Sequence, residues 1–165
     1  MDPILREHLA ATYFKEYQFL RDELVGVLSD DDLAFRVGGT TVTLGELCVE
    51  IGEIEHSYVE ALRTFKQDFG WRNSDTQVVR NVAALAAWFA DLDRDLLAAI
   101  EALTEHEAAN RRITRDDVDV EGFSPLAAQE LDIYREALLI FYAKVSIYLR
   151  AMGRDLPGHW GNWIG

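Results

Sequence analysis

The chain has 165 residues, 49% of them hydrophobic, which is one domain's worth of sequence and enough to bury well over half of its unfolded surface in a single core. Against 16 Lys and Arg stand 29 Asp and Glu, giving a formal charge of −13 and a pI near 4.6. That negative field repels phosphate backbones and anionic lipid, so nucleic acid and membrane surfaces are excluded as partners.

No apolar run approaches the ~18 residues of a membrane span, because Glu, Asp, Arg or Lys interrupts every apolar face. The opening residues Met1, Asp2 and Pro3, followed by Arg6, Glu7 and His8, lack the apolar centre of a secretory signal. The expectation is a single domain over residues 1–165 in the cytoplasm. The lone Cys48 sits near Leu47, Val49 and Ile51, the setting of a small buried filler and not of a low-pKa nucleophile.

Four segments carry helical periodicity. The first runs from about Pro3 to Leu28, with Leu9, Ala10, Tyr13, Tyr17, Leu20 and Leu24 at three- and four-residue spacing. Ser29 with Asp30, Asp31 and Asp32 reads as a cap and one short turn, and Gly38-Gly39 breaks the chain again. The second helix opens on a capping box, Thr43 and Glu46, and carries the stripe Leu44, Leu47, Ile51, Ile54, Tyr58 and Leu62.

Ser74 and Gln77 form a second such box ahead of the third helix, whose core face is Val78, Val82, Leu85, Phe89, Leu92, Leu96, Ile100 and Leu103. From about Glu105 to Phe123 the pattern alternates through Ile113, Val118, Val120 and Phe123, which predicts a small excursion or hairpin instead of a fifth helix. Ser124-Pro125 caps the fourth helix, with Ala127, Leu131, Tyr134, Ala137, Leu138, Phe141, Val145, Tyr148 and Met152 on its apolar face and Gly153 as its stop. Phe141 lies at the centre of that face and is predicted to be buried. Four such helices cover one another only as an all-α four-helix bundle.

Thr43-Leu44-Gly45-Glu46-Leu47, Glu55 with Tyr58, and Tyr148-Leu149-Arg150 followed by Gly153 and Pro157 stand in the order and spacing of the "TIGEL", "E..Y" and "YLRxxGxxxP" landmarks. In these the chain resembles the DinB-like family, which is similar to the bacillithiol and mycothiol S-transferases and the mycothiol-dependent maleylpyruvate isomerases. The resemblance implies an up-down-down-up bundle with a small excursion between helices 3 and 4. It also implies where a three-histidine metal site belongs: five residues before Glu55, and four residues apart on the last helix ending seven before Tyr148. Those positions hold Glu50, Ala137 and Phe141. Zinc or nickel needs several converging N, O or S donors, which this set does not supply, so no metal and no cofactor is expected.

His8, His56, His106 and His159 fall in four separate regions, and no pair has helical ligand spacing. His56 lies opposite the apolar stripe and reads as solvated, and Glu53 with His56 is half of a di-iron motif without its second half. Glu55, Asp93 and Glu130, by contrast, fall on apolar faces. Buried carboxylates must be paired, protonated or hydrogen-bonded, and Arg21, Lys144 or the hydroxyls of Tyr134, Tyr142 and Tyr148 are the available partners. No phosphate loop, nucleophile elbow or Cys-x-x-Cys is present.

The favoured reading is a metal-free bundle that binds a small molecule where the metal site belongs, with Glu50, Glu55, Glu130, Ala137, Phe141 and Lys144 as pocket candidates. A thiol-dependent S-transferase-like enzyme with a site rebuilt from carboxylates and tyrosines around Glu50, Glu55 and Glu130 is one alternative. A structural or subunit-interaction module is another. Trp160, Trp163 and Ile164 make the tail too apolar for solvent, so a homodimer or larger assembly is expected with the tail in its interface, the competing reading being a tail folded over its own bundle.

Overall fold

The computed structural model describes residues 15–115 and 122–162. Four long helices make up the bundle: α1 Lys15–Val27, α2 Leu44–Thr64, α3 Val82–Ala102 and α4 Ala127–Ala151. The predicted start of α1 near Pro3 lies outside the described residues. A single turn, Asp30–Leu33, follows α1 with Ser29 as its cap, and the Asp32 carboxylate accepts hydrogen bonds from both the Ser29 N–H and its hydroxyl.

Cross-links between helix ends fix the topology. Arg154, just past α4, donates to the Val27 carbonyl at 2.8 Å and to Asp32 at 2.7 Å, and the Tyr148 hydroxyl donates to the Val42 carbonyl at 2.7 Å. Asp30 accepts the Val82 N–H at 2.8 Å. One end of the bundle therefore gathers the end of α1, the starts of α2 and α3, and the end of α4, which is an up-down-down-up arrangement. Parallel α2 and α3 require the chain to return along the whole bundle between them. Gly45 makes that return possible, since a Cβ there would collide with the Val79 carbonyl, and Gly52 likewise leaves room for the Trp88 ring.

Thr43 accepts the Glu46 N–H while the Glu46 carboxylate accepts the Thr43 N–H, the reciprocal box expected at the start of α2. The start of α3 differs from expectation. Asn73 and Asp75 side chains accept the N–H groups of Asp75 and Gln77, holding this stretch in turns, and the helix begins only after Asn81 caps Ala84. Asx side chains compete with a helix for the same donors, which is why a capping pattern at Ser74 does not start one. The fourth helix also begins later than Ser124-Pro125: its N-cap is Leu126, whose N–H is satisfied by the Gln129 side chain.

The excursion is more than a hairpin in its described part: Arg112 makes a single antiparallel bridge to Leu126, but a short helix and a parallel strand pair accompany it. Glu105–Asn110 forms a short helix capped by Thr104, and Thr114–Arg115 pairs in parallel with Lys66–Gln67, just past α2. Val118 and Val120 lie outside the described residues. The core holds Leu85, Phe89, Leu92, Leu96 and Ile100 of α3 against Leu47, Ile51, Tyr58 and Leu62 of α2 and Leu131, Leu138, Phe141 and Val145 of α4, with Cys48 buried among them as expected. Burial pushes the Cys48 thiol up to about 12, so it is inert as a nucleophile at neutral pH. Among the described residues no helix is long and apolar enough to cross a membrane.

Trp160 settles the described part of the tail. Its ring is fully buried, lies edge-on to Tyr142, and donates its indole N–H to the Leu20 carbonyl at 3.1 Å. This part of the tail folds over its own bundle. Trp163 and Ile164 lie outside the described residues.

Candidate functional site

Leu47, Glu50, Ile51 and Ile54 recur at three- and four-residue spacing, so they share one face of α2; Ala137, Ile140, Phe141 and Lys144 do the same on α4. The two faces enclose a groove of about 180 Å³. Next to it lies a wider recess of about 430 Å³, lined by Val37, Thr41, Val42, Ile147 and Tyr148 and sharing Leu47, Glu50 and Lys144 with the first. Phe141 is 3% exposed, as predicted from its place at the centre of the α4 stripe, and seals the groove from the core. Glu50 and Lys144 are exposed and, among the described residues, are the only charged groups lining either space. The chemistry offered is an apolar trough with one anion and one cation at its edge.

Glu50, Ala137 and Phe141, the positions where the resemblance puts three histidines, thus converge on one groove. Their donor set does not fit a metal: a single carboxylate stands beside a methyl group and a phenyl ring, where catalytic zinc takes three protein ligands. No step of any reaction follows from a metal here.

Glu55 is elsewhere. It is fully buried one layer inward, where Arg21 of α1, itself 1% exposed, forms ion pairs with both Glu55 of α2 and Asp93 of α3. The guanidinium also lies over the Phe89 ring, 4.5 Å from its centre. Burial alone would lower the Arg21 pKa, but the neighbouring acids, Glu55 foremost and Asp93 with it, outweigh it and hold the group cationic. Two acids against one base leave a surplus. Burial, opposed by Arg21 and reinforced by Glu55, raises the Asp93 carboxyl to about 7, so the triad carries a proton below neutrality. Of the partners that the sequence offered to the buried acids, Arg21 is the one used for Glu55 and Asp93; Lys144 stays out at the groove. Tyr142 donates its hydroxyl to the Tyr17 carbonyl and acts as a core aromatic with a satisfied polar end.

Glu130 sits in a third place, at the far end of the bundle beside Gln67, Arg115 and Tyr58. Both of its carboxylate oxygens and both amide atoms of Gln67 are buried, and none makes a hydrogen bond of regular geometry. Burial raises the Glu130 carboxyl, against the pull of the Arg115 charge and the Gln67 amide. Burial, with the Glu130 charge, also pushes the Tyr58 phenol up to about 12. Sequence reasoning flagged Glu130 but missed Gln67 and Arg115, which reach it only through the non-local pairing of the two short strands.

The six candidates therefore fall into three groups: Glu50, Ala137, Phe141 and Lys144 together, Glu55 in the buried triad, and Glu130 at the far end. His56, expected in solvent, is half-buried and stacks on Trp71 with ring centres 3.8 Å apart. Glu53 accepts the Asn73 N–H at 3.0 Å and pairs with Arg72. Among the described residues no group of three or more His, Cys, Asp or Glu is arranged to hold a metal ion.

The crystal structure of a DinB-like protein of Bacillus subtilis, YjoA, superposes on this chain with a TM-score of 0.69, covering 91% of this chain and 96% of that one. The fold is DinB-like. Identity between the two is 18%, so the likeness is one of DinB-like architecture and carries no activity with it. No protein-family model matches the sequence, and no curated protein matches it significantly.

Proposed function

We propose that the chain is a metal-free DinB-like bundle that binds a small amphipathic molecule in the groove between α2 and α4. The observation that carries this reading is the convergence of Glu50, Ala137 and Phe141 on one open trough whose walls are apolar apart from Glu50 and Lys144. Ligand sites are typically concave and apolar with a few placed polar groups, and this groove with its adjoining recess has that character. An apolar ligand body would lie on Leu47, Ile51 and Phe141, and its polar end would meet Lys144 or Glu50.

The reading as a thiol-dependent enzyme rebuilt around Glu50, Glu55 and Glu130 is less well supported, because these three acids occupy separate sites and Glu55 is committed to Arg21. The test uses 1-anilinonaphthalene-8-sulfonate, an aromatic anion whose emission brightens in apolar sites. One saturable site per chain is expected. Ala137→Trp, which fills the groove, should weaken binding at least tenfold in a folded protein, whereas Ala84→Trp, between α2 and α3, should leave it unchanged. Binding indifferent to Ala137→Trp would remove the groove from consideration.

A further inference from the structure

The outward face of α4 is apolar where a lone helix surface would be polar. Ile140 and Ile147 are 56% and 58% exposed, the highest values among the large hydrophobics of the described residues, and Leu139 joins them. Val37 and Val42, also exposed, lie beside Ile147 across the recess. Five of the nine exposed large hydrophobics among the described residues thus fall on one side of the molecule, the concentration that marks an interaction surface.

The order of residues along this face says what covers it. At 100° per residue, Glu136, Ile140, Ala143, Ile147 and Arg150 fall within one stripe, and all are exposed. Read from either end the stripe is charge, apolar, small, apolar, charge, with the charges opposite in sign. Ala143 is its midpoint, seven residues from Glu136 and seven from Arg150. Neither Glu136 nor Arg150 has an ion-pair partner among the described residues, whereas neighbouring Asp132 is paired with Arg135.

We infer that α4 packs antiparallel against α4 of a second copy, about a two-fold axis at Ala143. A two-fold interface must be self-complementary. Antiparallel alignment at Ala143 sets Glu136 against Arg150 of the second copy twice over, and places Leu139 and Ile140 of each helix against Ile147 of the other. The Ala143 methyl groups at the crossing let the axes approach to about 8 Å, the close end of helix packing. A net charge of −13 per copy argues against unselective self-association and makes the neutral, charge-matched stripe the place where two copies can meet. Ile140 and Ile147 also edge the α2–α4 groove, so the second copy would close one side of it; the dimer itself does not depend on what the groove binds.

Sedimentation of the full chain at roughly physiological salt, where the Debye length is about 8 Å, should give twice the 18.7 kDa chain mass. Ile147→Asp should give a monomer with unchanged circular dichroism. Glu136→Arg and Arg150→Glu should each weaken dimerisation by about tenfold or more, through like charges set opposite one another. The double variant should recover most of the loss, a pattern that general damage to the fold does not produce. Ala143→Cys should form an interchain disulfide on oxidation, with Cys48 buried and silent. A monomeric wild type overturns the inference, as does a dimer that survives Ile147→Asp, that is lost only on deleting residues after Gly158, or that fails to cross-link through position 143.

Discussion

Replacing Arg21 by Met keeps the aliphatic stem and removes the charge that two buried acids share. Breaking a buried pair from one side costs about 3–5 kcal/mol, because the partner is left charged and desolvated. Glu55, fully buried, incurs that cost in full; the Asp93 side chain keeps 16% exposure and, raised to about 7, takes up a proton readily once the guanidinium is gone, so it adds less. A loss of about 4 kcal/mol at pH 8 follows, and at about 2–4 °C per kcal/mol for a chain of this size the melting temperature should fall by roughly 8–16 °C. The deficit should shrink towards pH 5. Without the guanidinium both acids bind protons more tightly folded than unfolded, so lowering the pH stabilises the variant relative to the wild type. Urea unfolding followed by circular dichroism at pH 5 and pH 8 measures both quantities. A loss below about 1 kcal/mol at pH 8, or one that does not change with pH, would refute the account of the triad.

Asp93 makes its own prediction: a carboxyl raised from 3.8 to about 7 binds a proton in the folded state that the unfolded state releases, so wild-type stability should decline as pH rises between those values. Asp93→Asn should flatten that decline, and an equal decline in the variant would assign it to other groups. Trp160→Ala should cost about 3–5 kcal/mol without changing the mass in solution, since the ring is buried in its own chain and its N–H bonds Leu20; a change of mass instead would place the tail between subunits. Installing Glu50→His, Ala137→His and Phe141→His together should create stoichiometric zinc binding in a folded, somewhat destabilised protein. Failure to gain it would show that the three positions do not converge as closely as the groove lining indicates.

Features governed by local chemistry were legible in the sequence. The Thr43–Glu46 box, the turn after Ser29 and the stop at Gly153 each depend on residues a few positions apart, and each stands where it was read. Wheel positions also showed that Glu55 and Glu130 are buried and that Arg21 is available to pair. What escaped depends on distant chain. The alternation around Ile113 resembles a hairpin, and Arg112 does bridge antiparallel to Leu126, yet Thr114–Arg115 takes its strand partner from Lys66–Gln67, a pairing that no local pattern encodes. The Ser74–Gln77 box failed because Asn73 and Asp75 offered the same backbone donors a turn. Trp160 was ambiguous until the carbonyl of Leu20 supplied the acceptor its indole requires when buried.

The central claim is that the α2–α4 groove is the ligand site, and methyl-resolved NMR during titration with 1-anilinonaphthalene-8-sulfonate tests it most directly. The account predicts saturable shifts at Leu47, Ile51, Ile54 and Ile140, which line the groove, with Leu92 and Val78 in the recess between α2 and α3 unmoved. Shifts confined to Leu92 and Val78, or scattered over the whole surface, would contradict it.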